Sequence, residues 1–255
     1  MNSIVQISCL GNFGQFGNQL FQFCFAKAFA NKHNAELQIP FDWIGRKIFK
    51  NMDTIEPIDK RFPNTRLDEI PKFNSNKGIF INLFGYYQFA EAYNYYSYSE
   101  IREWLQFKDE WIEMFPKILP YYVACHLRRG DYEKFNHIYC TISERSYIQA
   151  INVRKYSTKD IIWVSAEKPR IIKNCPYDFL PDFFTLMNAD VLFRANSIFS
   201  VWASLLGDVK TFSPNVENKT GLNVDVLFEM GNHNKVVSDY KEASPQKPAM
   251  FIFKL

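Results

Sequence analysis

Residues 4–39 constrain the fold of this chain more than any other stretch. Ile4 to Leu10 (IVQISCL) reads as a short buried strand. Gly11, Gly14 and Gly17 punctuate the loop after it, and from about Asn18 to Asn31 the chain is rich in Phe and Ala. Phe21, Phe25, Ala28 and Phe29 fall at i, i+4, i+7 and i+8, one apolar face of a helix. Ala35 to Ile39 reads as a second strand, stopped by Pro40. Strand, glycine loop, helix and strand make a βαβ unit, whose two strands lie parallel in one sheet. Glycines directly before an apolar helix permit a tight turn, and they also let backbone amides approach a ligand at the helix N-terminus.

Residues 41–75 carry turn signals and mixed charge. Gly78 to Leu83 then reads as a strand, a Tyr-rich segment runs to Tyr98, and Glu100 to Phe115 reads as a helix. Pro116 and Pro120 bracket a boundary, so the expected domains are residues 1–115 and 116–255. Beyond it the alternation returns. Tyr121–Leu127, Asp160–Ser165, Asp190–Arg194 and Val209–Phe212 read as strands. Thr141-Ile142-Ser143-Glu144 has capping-box form and opens a helix to about Tyr156. Asp182–Asn188 and Ile198–Leu206 read as helices, the second closed by Gly207. The expected class is α/β, with parallel sheets covered on both faces.

The 255 residues suffice for one large domain or two small ones. The net charge of +3, with no long Lys/Arg block, argues against a nucleic-acid partner and fits a small polyanion held by a few arginines. An aromatic content of 17% suits both a Phe-filled core and a sugar-binding cleft. Met1–Val5 lacks the basic start of a signal peptide, and no apolar run approaches the roughly 20 residues that span a bilayer. Cys9, Cys24, Cys125, Cys140 and Cys175 are scattered without a CxxC pair and read as reduced thiols. A cytoplasmic protein without a transmembrane segment is expected, and the sequon at Asn218 is read as chance.

In open α/β sheets ligands bind at the carboxyl ends of strands. Three loops at such ends have unusual composition. Gly11–Asn18 leads into a helix N-terminus but has neither GxGxxG spacing nor a P-loop lysine. Cys125-His126-Leu127-Arg128-Arg129-Gly130-Asp131 sets two arginines at a strand end, where a diphosphate would partner them and Asp131 could orient one guanidinium. Cys125 and His126 alternate faces, which argues against a nucleophilic dyad. Ala195-Asn196-Ser197-Ile198-Phe199-Ser200 joins a strand to a helix, with Ser197 a natural N-cap or a phosphate neighbour. The four histidines are far apart, and no HExxH, zinc spacing or Asp-x-Asp is present, so no metal is expected.

These residues resemble the inverting α-1,2-fucosyltransferases that use GDP-fucose. The likeness is an ordered series over about residues 6–213: GQFGNQLFQFCFAKA, GYYQFAEAY (Gly85–Tyr93), HLRRGD (His126–Asp131), DFFTLMNAD (Asp182–Asp190) and NSIFSVWASLL (Asn196–Leu206). Ile198 stands where the family usually has Ser or Thr, Val201 where it has Trp, and Ala166-Glu167 where it has Asp-Asp. The resemblance implies a GT-B architecture of two Rossmann-like lobes, with the active site in the cleft between them and GDP on the C-terminal lobe. It implies that Arg128 grips the β-phosphate, that His126 sits against the nucleotide, and that Asp131 completes the catalytic group. Donor contacts would come from Gly17, Asn18, Gln19, Arg128, Arg129, Asp182, Ser197 and Ser200, with Asp182 accepting from guanine N1 and N2. Acceptor contacts would come from Tyr86, Tyr87, Gln88 and Glu91. The implied reaction moves L-fucose from GDP-fucose to a glycan hydroxyl, O2 of a galactose, with inversion, without metal and without a resident cofactor. A different sugar or acceptor on the same GDP site, and a GDP-binding homologue without transfer activity, remain as other readings.

Overall fold

The computed structural model describes residues 3–66, 78–88, 92, 95–134, 141–215 and 239–242. These residues form two compact units that divide between Ile112 and Glu113.

The first unit runs β1 (Ile4–Gln6), α1 (Phe16–Lys32), β2 (Glu36–Ile39), α2 (Gly45–Ile48), a 3-10 turn at Met52–Thr54, β3 (Glu56–Pro57), β4 (Asn64–Thr65), β5 (Phe80–Leu83) and α3 (Tyr98–Trp104). The helix α4 (Asp109–Met114) carries the division. The strands lie in the order β3-β2-β1-β5-β4, all parallel, with Val5 opposite Leu37 on one side and Ile81 on the other. The βαβ reading of residues 4–39 therefore holds.

α1 is buried on nearly every side, since thirteen of its seventeen residues are inaccessible. The expected face of Phe21, Phe25, Ala28 and Phe29 is only one of those it covers. Phe23 stacks on Trp43 at 5.1 Å and Phe25 on Tyr87 at 4.2 Å. A helix apolar on most of its sides is what the middle of a unit requires. Nor is Glu100–Phe115 one helix. Ser97 and Glu100 form a reciprocal capping box that starts α3. The chain then opens so that Lys50 N donates to Gln106 O at 2.7 Å and Lys108 N to Ile48 O at 3.0 Å. The rings of Phe49 and Phe107 meet at 5.0 Å there, and burying that pair outweighs continuing the helix.

The second unit runs β6 (Val123–Leu127), α5 (Asp131–Lys134), α6 (Glu144–Val153), β7 (Ile161–Ser165), α7 (Leu180–Met187), β8 (Val191–Phe193), α8 (Ile198–Leu206), β9 (Lys210–Asn215) and β10 (Asp239–Glu242). The order is β10-β9-β8-β6-β7, parallel except for the β10–β9 pair. Val123, Cys125 and Leu127 face one core with Tyr147, Ile151 and Phe193. The alternate residues of the strand face the other way, where the His126 ring lies 5.7 Å from Phe199 of α8. The cap of α6 is Ser143, whose Oγ accepts from Ser146 N; the expected start at Thr141 is two residues early.

Connections fix where ligands can enter. From β6 the chain steps out to β7, then returns across β6 to β8. The switch point lies between the carboxyl ends of β6 and β8, where loops part and leave a crevice. The first sheet has the same feature between β1 and β5.

Gly207 follows α8 with φ −87°, so no left-handed cap is needed there. A Cβ at 207 would instead run into the carbonyl of Met187 at the end of α7. Gly207→Ala should cost about 1–3 kcal/mol through this overlap. A urea midpoint equal to wild type would show that α7 and α8 are not packed so closely.

Candidate functional site

At the end of β6 the chain passes through Arg128 and Arg129, turns at Gly130 (φ +69°) and enters α5 at Asp131. Arg128 Nη2 donates to Asp131 Oδ2 at 2.6 Å. Its guanidinium lies 4.9 Å above the Tyr132 ring, an arrangement that holds the side chain from two sides. Arg128 Nε is buried and has no partner among the described residues. Arg129 is turned differently: Nη1 donates to Arg128 O at 3.1 Å and Nη2 to Ile142 O at 2.9 Å. Arg129 thus braces the loop, while Arg128 keeps a donor without an acceptor among the described residues.

The neighbouring loop leaves β8 through Arg194, Ala195 and Asn196 to Ser197, the N-cap position of α8. Tyr132 OH donates to Asn196 O at 2.9 Å and ties the two strand-end loops together. Ser197 makes no capping bond, contrary to its composition. Ser200 Oγ donates back to Ser197 O at 3.0 Å. The first-turn amides of α8 therefore lack a side-chain cap beside an arginine loop, the setting in which a helix N-terminus favours an anion.

His126 and Asp182 flank this crevice. His126 is 4% exposed, its Nδ1 has no partner among the described residues, and its carbonyl accepts from Tyr147 OH at 2.7 Å. Burial, then the charges of Arg128, Arg129 and Arg194, push its pKa down to about 3. The ring is neutral at physiological pH, where a fourth positive charge would be resisted. Asp182 stands in the first turn of α7, which begins two residues earlier than its expected start at Asp182 itself. It is 6% exposed, and burial lifts its pKa to about 6 against the opposing backbone bond from Arg170 and the Arg170 charge. Phe199 of α8 packs against the His126 ring and meets Phe183, the neighbour of Asp182, edge-on at 5.3 Å.

The first unit carries its own strand-end cluster. Gly11 (φ +92°) and Gly14 (φ +79°) fold the loop after β1. Gln19 Nε2 donates to Gly14 O at 3.1 Å and Gly11 O at 3.4 Å, while its Oε1 accepts from Trp43 Nε1 at 3.0 Å. Gln22 Nε2 donates to Phe13 O at 2.7 Å. The expected donor contact Gln19 is thus a clamp on the loop. Gly17 is buried in the first turn of α1, and Asn18 is half-buried with no hydrogen bond from its side chain among the described residues. Phe13 stacks on Tyr86 at 4.1 Å and on Phe84 at 5.1 Å. A Cβ at Gly14 would lie 2.9 Å from the Tyr86 ring, so this close approach demands glycine. Of the expected acceptor residues, Tyr86 is 42% exposed, Tyr87 belongs to the core against Phe25, and Gln88 is buried with Nε2 unpartnered among the described residues. Glu91 lies outside the described residues. Phe13, Gln22 and Arg170 were not singled out from sequence. Gln22 had a legible signal, an amide one turn after Gln19 inside an apolar run.

Among the described residues no group of three His, Cys, Asp or Glu is placed to hold a metal ion, and no helix is long and apolar enough to cross a membrane. No protein-family model and no curated protein matches the chain. Solved structures do. POFUT1 in complex with GDP-fucose is 13% identical and matches over 82% of this chain and 96% of its own, with a TM-score of 0.52. The fucosyltransferase NodZ from Bradyrhizobium is 12% identical over 86% and 96%, with a TM-score of 0.50. At such identities the likeness establishes the fold: a GT-B-type α/β protein with two parallel-stranded, Rossmann-like units.

The His126 imidazole should stay neutral down to a midpoint of about 3, whereas an ordinary imidazole charges near about 6.5. Between those values only the unfolded chain binds the proton, so this group lowers stability as pH falls through the window. An NMR titration with His126→Gln as the assignment control checks this, and a midpoint near that of a free imidazole would contradict the burial described.

Proposed function

We propose that this chain is a glycosyltransferase that moves L-fucose from GDP-fucose to a glycan hydroxyl, O2 of a galactose, with inversion and without a metal. The observation that carries the reading is Arg128, held by Asp131 and Tyr132 with a buried Nε unpartnered among the described residues, beside the uncapped N-terminus of α8. A diphosphate supplies the acceptor oxygens that such a site lacks. The ordered likeness to α-1,2-fucosyltransferases, and a fold shared with fucosyltransferases, support the choice of donor.

In the proposed reaction the acceptor hydroxyl attacks the anomeric carbon from the face opposite GDP. The bond from that carbon to the β-phosphate oxygen breaks, its electron pair leaves with GDP, and the hydroxyl proton passes to solvent. Charge grows on the β-phosphate as the bond breaks. Arg128 meets it there, and stabilises the transition state more than the bound donor. Asp131 orients Arg128, and His126 packs against the nucleotide as a neutral ring. Ser197, Ser200 and the first-turn amides of α8 line the diphosphate, and Asp182 accepts from guanine N1 and N2. Arg129 and Gln19 act by holding their loops, since their side chains already bond backbone carbonyls. Gly17 and Asn18 approach the donor, while Tyr86, Gln88 and Glu91 take the acceptor, with Tyr87 supporting them from the core. The enzyme is assigned to the cytoplasm.

Arg128→Ala should lower turnover by roughly 100- to 1,000-fold while leaving the fold intact. GDP release from GDP-fucose, measured in EDTA with and without β-galactosides, checks this. Release that needs no galactoside, or a fully active Arg128→Ala, would overturn the assignment. A second outcome concerns pH. Asp182 protonates as pH falls through about 6 in the free protein, and the carboxylate is the better acceptor for two guanine N–H groups. GDP affinity should therefore fall below that pH, and Asp182→Asn should remove the dependence. Equal dependence in both proteins, read by calorimetry, would exclude Asp182 from the base site.

A further inference from the structure

Arg170 sits in the connection from β7 to α7 and belongs to none of the motifs that carry the resemblance. Its backbone N donates to Asp182 Oδ1 at 3.2 Å. Its guanidinium is near enough to favour the ionised form of Asp182, yet among the described residues no ion pair within 4.0 Å joins the two. Arg170 Nε is buried and has no partner among the described residues. A buried N–H of a charged group left bare is costly, and proteins seldom leave one so without a reason. The carboxylate next door does not take it. A ligand that presents an acceptor beside Asp182 would satisfy this donor.

Guanine has the matching pattern. Its N1 and N2 groups donate, and its O6 and N7 accept on the adjoining edge. A carboxylate suits the first pair and a guanidinium the second; arginine on O6 and N7 is the commonest base-specific contact to guanine. Adenine carries an amino group where guanine has O6, and would oppose one donor to another. We propose that Arg170 and Asp182 read guanine together, Arg170 donating to O6 and N7 while Asp182 accepts from N1 and N2. The inference rests on the proposed use of a guanine nucleotide. It adds a specificity-determining residue that would reject adenine nucleotides by an unfavourable contact as well as by a lost one.

The test compares GDP, 7-deaza-GDP, which lacks the N7 acceptor, and IDP, which lacks the N2 amino group. Calorimetry on the full chain reads all three. The wild-type protein should bind 7-deaza-GDP about 10-fold or more weakly than GDP, the size of a lost base contact to a charged donor. Arg170→Met should bind GDP and 7-deaza-GDP equally, at the weaker level, while still discriminating against IDP. Asp182→Asn should show the converse. Wild-type protein that binds GDP and 7-deaza-GDP alike would overturn the role of Arg170 while leaving the proposed function intact, and needs no variant to fold. Retention of the full preference in Arg170→Met would overturn it equally. No binding of GDP by wild-type protein would overturn both readings.

Discussion

The strand-end loops of the second unit are joined by one hydrogen bond, from the Tyr132 hydroxyl to the carbonyl of Asn196. Strand-end loops diverge at a switch point, and nothing in the sheet itself holds them in register. Here the same tyrosine that ties β8's loop to β6's loop also lies under the Arg128 guanidinium. Arg128 is thereby tied through Tyr132 to the loop that enters α8. Asp131, three residues on, fixes the guanidinium from the other side. A preorganised cation costs no reorganisation when charge develops beside it, which is why such tethers matter for transfer of a group from a diphosphate.

The price of this arrangement is concentrated positive charge in a buried place. Arg128, Arg129 and Arg194 all act on His126, and with burial they keep it neutral. Arg129 is satisfied by carbonyls, so its charge is structural and its field remains. A polyanion relieves the field, whereas a neutral ligand does not. The first unit solves a different problem. Its glycine loop has carbonyls that would otherwise face an apolar helix, and α1 answers with Gln19 and Gln22, two amides in a run of Phe and Ala. The loop is thereby fastened to a rigid element, and Phe13 is delivered onto Tyr86.

Much of this was legible in the sequence where local pattern and tertiary demand agree. The βαβ unit at residues 4–39 and the span of α8 follow from periodicity and glycine placement alone. The pair Arg128–Asp131 was legible as chemistry, because two arginines beside a sheet require partners. The rest needed three dimensions. Periodicity marked one face of α1 because it cannot register a helix covered on all sides. Glu56–Pro57 and Asn64–Thr65 are strands of two residues, too short to alternate. The segment around β4 is held instead by side chains of the central strands: Gln6 donates to Lys60 O, and Asn82 to Phe62 O and Asn64 Oδ1. Tyr87 and Gln19 look like ligand contacts beside motif residues, yet one fills the core and the other clamps a loop. Adjacent residues in a motif share a neighbourhood, and only packing decides which of them face solvent.

The central claim is that the crevice at the ends of β6 and β8 binds a nucleoside diphosphate. A crystal structure of the protein grown with GDP tests it most directly. The account predicts diphosphate oxygens within hydrogen-bond distance of Arg128 and the first-turn amides of α8, with the base against Asp182. GDP lodged elsewhere, with Arg128 still joined only to Asp131, would contradict it.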